Sequence, residues 1–198
     1  MILFIKIAAA LVIAYLLGSI PTALIVSKRF KGVDIRTIGD GNMGARNTSR
    51  SIGPKFGVIV AVLDFTKGAL SVFLAHILGL SLGWQLITGV LAILGHDFPI
   101  FAGFKGGQGT ATSFGTMVVL FPIPTLIGLI IWGGLFLIIK NSDISCSIGG
   151  GTIALMLGIS QQWLLLIYAI CVFLFIPLKQ FIDTPRRKAI KGANNSKN

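Results

Sequence analysis

Charge is what this sequence has least of. Charged residues make up 12% of the 198, about half the share of roughly 25% usual in soluble domains, and only six are acidic. A soluble domain of this length needs more polar surface to cover itself, so a water-soluble globule is excluded. A bilayer removes the need, because lipid solvates apolar side chains directly. Cysteine is also scarce: Cys146 and Cys171 both fall inside apolar runs. That excludes a disulfide framework or metal site and reads as two small buried hydrophobes. No repeat of about 20–50 residues recurs, which excludes a solenoid.

What is present is apolar length. Hydrophobic residues reach 54% and the mean hydropathy is +0.89. A spanning helix needs about 20 apolar residues, and seven candidate stretches stand out: 3–26, 57–79, 84–101, 110–121, 124–139, 144–159 and 162–178. The first runs from Leu3 to Val26. It exceeds the ~7–15-residue core of a secretory signal and is read as a membrane helix. Phe121-Pro122-Ile123-Pro124 divides one long apolar run, because each proline removes a donor and clashes one turn back.

The net charge of +11, from 17 Lys and Arg, would suggest nucleic acid in a soluble protein. Here 15 of the 17 lie in segments 27–56, 102–109, 140–143 and 179–198, and the intervening connections carry none. Basic residues gathered on one face mark the cytoplasmic side of a membrane protein, so no nucleic-acid partner is expected. The fold class is therefore all-α: a polytopic membrane protein of about seven transmembrane helices, N-terminus out and C-terminus in. A six-helix count would put Lys140 and the basic tail opposite the 27–56 loop. One membrane domain, 1–183, is expected, followed by a loosely ordered basic cytoplasmic tail, 184–198, suited to topology and to anionic headgroups.

Ionisable residues inside membrane spans are costly, about 2.5–3.5 kcal/mol each at a helix centre on insertion scales, so they mark places to look. Asp64 and Lys67 share a helical face at i, i+3 and are read either as an ion pair fixing helix packing or as part of a binding site. His96 and Asp97 end the third stretch, on the same cytoplasmic half. His76, near the outer end, reads as structural or interfacial. Two glycine-rich segments face that half as well: Gly39-Asp40-Gly41-Asn42-Met43-Gly44-Ala45-Arg46-Asn47 with Arg50, and Phe104-Lys105-Gly106-Gly107-Gln108-Gly109-Thr110. The first matches G-x-G-x-x-G, but no strand precedes it and the chain has no βαβ pattern, so a dinucleotide site is excluded. Successive glycine amides form anion nests, and a helix N-terminus adds its positive end. Two such loops with Arg46, Arg50 and Lys105 point to a phosphate-bearing ligand.

Three motifs carry a resemblance: Val33-Asp34-Ile35-Arg36 with Gly41 to Asn47 and Arg50, Leu63-Asp64-Phe65-Thr66-Lys67-Gly68, and Gly95-His96-Asp97-Phe98-Pro99 through Lys105-Gly106-Gly107. In order and spacing, from Gly18 to about Gly115, the sequence resembles the bacterial acyl-phosphate-dependent glycerol-3-phosphate acyltransferases, the PlsY family. The resemblance implies seven membrane helices and transfer of an acyl group from acyl-phosphate to glycerol 3-phosphate. The products would be lysophosphatidic acid and phosphate, formed at the cytoplasmic side of the cell membrane, with no cofactor and no metal. It implies catalytic roles for His96, Lys105 and Asn42. Substrate binding falls to Asp40, Gly41, Gly44, Arg46, Asn47, Arg50, Asp64, Lys67, Gly106, Gly107, Gln108 and Gly109.

The sequence also departs from the family pattern. Asp40 stands for a serine, Arg46 for a threonine and Gln108 for a lysine. The Tyr-x-Ser pattern of the third cytoplasmic loop is replaced by Ser142-Asp143-Ile144, and no histidine follows the last span. A carboxylate at Asp40 repels phosphate unless a cation neutralises it, and Arg46 is the expected compensating partner. Two alternatives stand beside the acyltransferase: a homologue that binds anionic or phosphorylated lipid without turnover, and a small transporter. Against the transporter, no paired broken helices occur in matching halves.

Overall fold

The computed structural model describes residues 1–195 and is all-helical over that range. Nine α-helices follow in order: α1 (Ile2–Ser19), α2 (Thr22–Lys31), α3 (Ala45–Ile52), α4 (Pro54–Ile77), α5 (Leu82–Asp97), α6 (Thr110–Leu120), α7 (Pro122–Ile139), α8 (Ser142–Ile159) and α9 (Trp163–Asn195). Among the described residues, six segments are long and apolar enough to cross a membrane: 2–31, 54–77, 82–102, 122–139, 142–159 and 163–190. The shorter α6 is apolar too, but its 11 residues rise only roughly 16 Å.

The expected division at Phe121–Pro124 is present. Phe121 leaves helical geometry at φ −146° and Pro122 occupies the first turn of α7, where its missing donor costs nothing. The expected unbroken first helix is not present. It stops at Ser19, and Ile20 is extended (φ −59°, ψ 116°) ahead of Pro21, because proline disfavours helical geometry in the residue before it.

Several helix pairs touch backbone to backbone through glycines. A Cβ on Gly18 would lie 2.1 Å from Ala92 O, and one on Gly95 2.3 Å from Tyr15 O, which seats α1 on α5. A Cβ on Gly68 would lie 2.2 Å from Thr112 O and one on Gly115 2.0 Å from Phe65 O, seating α4 on α6. A Cβ on Gly128 would lie 2.8 Å from Gly149 O, between α7 and α8. Lipid supplies no hydrophobic drive between helices, so such close van der Waals approach holds them together.

The largest apolar core, around Phe114, Met117, Ile153, Leu157 and Ala169, lies where α5, α6, α8 and α9 meet. Phe114 stacks on Trp132 with ring centroids 5.3 Å apart. Tyr168, buried in this core, donates to Thr116 Oγ1 at 3.0 Å. Side chains such as Phe4, Ile130, Ile138 and Leu174 point outward, as a lipid-facing surface requires, and His76 is exposed.

The basic tail differs most from expectation. Instead of ending near 178, α9 continues to Asn195 with Pro177 and Pro185 inside it. Within 184–195 the helix packs on the first glycine-rich segment, where Arg187 donates to Asp40 and a Cβ on Gly41 would meet Ile190 Cδ1 at 2.4 Å. Lys179 is 1% exposed and Asp183 8%, and the Lys179 ammonium donates to Asp183 and lies 4.8 Å from the Phe98 ring centroid. Residues 196–198 of the expected tail lie outside the described residues.

Candidate active site

The site begins where α1 breaks. With the helix ended at Ser19, the Ile20 carbonyl faces α4 and accepts from Lys67 Nζ at 3.1 Å. Lys67 also lies 2.9 Å from Asp64 Oδ1, the i, i+3 pair anticipated from sequence. Thr22 Oγ1 donates to the same Asp64 oxygen at 2.6 Å. His96, from α5, brings Nδ1 to 3.4 Å from it, which is ion-pair range and too long for a formed hydrogen bond. Asp64 is 1% exposed, and Lys67 and His96 are each 6% exposed. Lys67 and His96 face a small cleft shared with Ile20, Thr22, Met43 and Pro99.

The first glycine-rich loop is built around Asn47. Its Nδ2 donates to the carbonyls of Ile35, Ile38 and Asn42 at 3.3, 3.2 and 3.1 Å. Its Oδ1 accepts from the Asp40 amide at 3.1 Å and from Ser51 Oγ at 3.2 Å. Asn47 therefore holds the loop in shape, its own amide fully engaged. Gly39 and Gly41 take left-handed φ of 60° and 69°, conformations open to glycine at no steric cost. Asn42 is buried and its Oδ1 has no partner. A Cβ on Gly44 would meet Asn42 Nδ2 at 3.2 Å. Ahead of the loop, Arg36 Nη2 lies 2.7 Å from Asp34 Oδ2. Its hydrogen bonds hold the Asp34 carboxyl below the usual carboxylate range.

The expected Asp40–Arg46 pair does not form. Arg46 lies in the first turn of α3 and reaches α8, where it donates to Asp143 at 3.1 and 2.5 Å. Asp40 instead accepts from Arg187 on the extension of α9. Neither partner is local, so adjacency in sequence misled.

The second loop folds onto the end of α5. The Gly107 amide donates to His96 O at 3.2 Å. A Cβ on Gly106 would lie 2.1 Å from His96 O, and one on Gly107 2.1 Å from His96 Nε2. Gly109, at φ 67°, leads into α6. Behind it sits Asp97, 0% exposed with neither carboxylate oxygen hydrogen-bonded. Lys105 and Arg50 are exposed. Gln108 is half-buried with its Nε2 unpartnered.

Gln108 also borders a cavity of about 340 Å³ between α8 and α9. Its lining combines the polar Arg46, Asp143 and Gln180 with the apolar Ala154, Ile170 and Phe173. Sequence reasoning missed Thr22, Lys179, Asp183 and Arg187. The one available signal was the i, i+4 spacing of Lys179 and Asp183 at the end of an apolar run.

Two basic glycine loops, a buried Asp–Lys–His centre and an amphipathic cavity thus share one end of the bundle. The family model described as glycerol-3-phosphate acyltransferase matches residues 8–186. The chain belongs to that family. It is 37% identical over 166 residues to the glycerol-3-phosphate acyltransferase of Listeria monocytogenes, covering 83% of this chain and 84% of that one. Against glycerol-3-phosphate acyltransferase 1 of Deinococcus radiodurans the identity is 49% over 114 residues, 58% of this chain and 57% of the relative. Against acyltransferase 4 of Dehalococcoides mccartyi it is 47% over 115 residues, and the match spans 50% of the relative's length. Crystal structures of the integral membrane acyltransferase PlsY, in its glycerol 3-phosphate and lysophosphatidic acid forms, superpose with TM-scores of 0.81 and 0.78. Both are 32% identical to this chain, and each match covers 93% of both chains. Within the acyltransferase family, then, this member's Asp40 and Arg46 have each found a counter-charge elsewhere in the fold.

Proposed function

We propose that this chain transfers an acyl group from acyl-phosphate to the 1-hydroxyl of glycerol 3-phosphate, releasing lysophosphatidic acid and inorganic phosphate. The observation that carries the reading is the convergence of the 39–47 and 105–109 loops on His96, beside a cavity lined by both polar and apolar side chains. Both substrates bear phosphate and one bears a long chain, and the site offers a counterpart for each. The hydroxyl oxygen forms the new ester bond to the acyl carbon. The carbon–oxygen bond to phosphate breaks, and the departing phosphate takes the electron pair and, in the net reaction, the hydroxyl proton. No cofactor or metal enters.

In this reading Lys105, His96 and Asn42 act at the reacting groups. Lys105 supplies charge to the leaving phosphate, and the Gly106, Gly107 and Gly109 backbone bounds its pocket. Arg50, Gly41 and Gly44 hold the glycerol phosphate, with Asn47 and Asp40 shaping that loop. Asp64 and Lys67 fix the orientation of His96. Arg46 and Gln108 border the acyl end. Preorganised donors of this kind accelerate reaction by positioning the substrates and absorbing developing charge.

The loops share one end of the bundle with the basic tail, and the positive-inside bias assigns that end to the cytoplasm. We therefore place the N-terminus outside and the C-terminus inside the cell membrane, with the site facing the cytoplasm. The tail beyond residue 183 belongs to that face.

Incubation of purified protein with palmitoyl-phosphate and glycerol 3-phosphate tests the reading. Lysophosphatidate and phosphate are expected in equal amounts, and Lys105→Ala and Arg50→Ala should each lower kcat/KM by about 100-fold. Product no greater than that of the paired Lys105→Ala/Arg50→Ala protein would defeat it.

A further inference from the structure

Asp40 puts an acid where a phosphate loop tolerates one least. The loop turns through the left-handed Gly39 and Gly41, and its amides are the donors that an anion would use. Three of them are already engaged: the Asn42 amide donates to Asp40 Oδ1 at 3.1 Å, the Asp40 amide to Asn47 Oδ1 at 3.1 Å and the Gly41 amide to Ile38 O at 3.0 Å. Asp40 Oδ2 accepts from Arg187, 147 residues further along the chain. The Arg187 and Asp40 side chains are 20% and 23% exposed, so solvent screens them only partly. One helical turn on, Ile190 packs against Gly41, where a Cβ would meet Ile190 Cδ1 at 2.4 Å. The extension of α9 thus grips the loop at two neighbouring points.

We propose that Arg187 is a positioning residue for the glycerol 3-phosphate end of the reaction: it cancels the Asp40 charge so that the loop can accept an anion. The inference rests on the function proposed above. An uncancelled carboxylate beside the phosphate position repels the substrate, and such like-charge juxtaposition is expensive in a desolvated site. Arg46 and Arg186 are committed to other carboxylates: Arg46 is engaged by Asp143, and Arg186 lies 3.2 Å from Asp183. With Asp40 neutralised, the exposed Arg50 and Lys105 keep their full attraction for phosphate.

A charge cycle on the full-length protein in detergent tests this, reading KM for glycerol 3-phosphate and kcat separately. Arg187→Ala is expected to raise KM by about tenfold with kcat changed by less than about threefold. Adding Asp40→Ser to Arg187→Ala should return KM to within about threefold of the unaltered protein, since the charge needing cancellation is gone. Arg187→Lys, which keeps the charge, should stay near the unaltered value. A tether with only a structural role would lower the melting temperature and would not be rescued by Asp40→Ser. If the double variant keeps the elevated KM, or Arg187→Ala leaves KM unchanged, the pairing idea is overturned. Calorimetric titration with glycerol 3-phosphate repeats the cycle as Kd. Unaltered protein that neither forms product nor binds glycerol 3-phosphate refutes the functional reading, and the present inference with it.

Discussion

The Lys67 ammonium bridges two helices: it donates to the Ile20 carbonyl at 3.1 Å and lies 2.9 Å from Asp64 Oδ1. The break at Pro21 makes this possible by turning a carbonyl away from its helix. The pair fixes α1 against α4 and, through Asp64, sets the neighbourhood of His96.

Removing one member of that pair strands the other charge in a buried setting. Lys67→Met should therefore destabilise by about 3–5 kcal/mol, read as loss of thermal stability in detergent. The double variant Asp64→Asn/Lys67→Met should recover more than half of that loss. A double variant no more stable than the single one would show that the charges are not coupled.

The 105–109 loop is packed too tightly for side chains at two positions. Gly107→Ala places a methyl 2.1 Å from His96 Nε2, so His96 must move, and kcat should fall about tenfold or more. Gly103→Ala is the control. Nothing lies within 4 Å of a Cβ there, and only its positive φ of 64° is strained, at roughly 1 kcal/mol. Steady-state kinetics and melting curves separate the two.

Gly151 borders the cavity between α8 and α9, and a Cβ on it meets nothing within 4 Å. Gly151→Phe should fold normally and fill the cavity. Turnover of palmitoyl-phosphate should drop about tenfold relative to octanoyl-phosphate, since a blocked pocket penalises the extra methylenes. Equal losses for both donors would place the acyl chain elsewhere.

The Arg46–Asp143 pair is half exposed, at 35% and 64% for the two side chains. Asp143→Ala should cost no more than about 1 kcal/mol of stability. A larger drop in melting temperature would mean that the pair holds α3 to α8 more firmly than its exposure suggests.

Local chemistry was legible in the sequence. The i, i+3 spacing of Asp64 and Lys67 gave their pairing, the Pro122 and Pro124 break gave a helix boundary, and the two glycine loops gave the candidate site. What stayed hidden depends on the path of the chain through space. Arg46 lies six residues from Asp40 in sequence but faces α8, and Arg187 finds Asp40 only because α9 runs on past the apolar stretch. Lys179 reads as a surface cation after Leu178, yet the fold buries it against Phe98 and Asp183. Pro21 sits in a run that is apolar on both sides, so hydropathy gave no sign that α1 ends there.

The shortness of α6 has a spatial consequence. It and α7 leave the same turn at Phe121–Pro122, but their 11 and 18 residues rise roughly 16 and 27 Å respectively. Along its own axis α6 is therefore roughly 10 Å shorter than α7. Under the proposed function, the short helix would let a lipid-borne donor meet the Gly106–Gly109 loop without lifting its chain out of the bilayer.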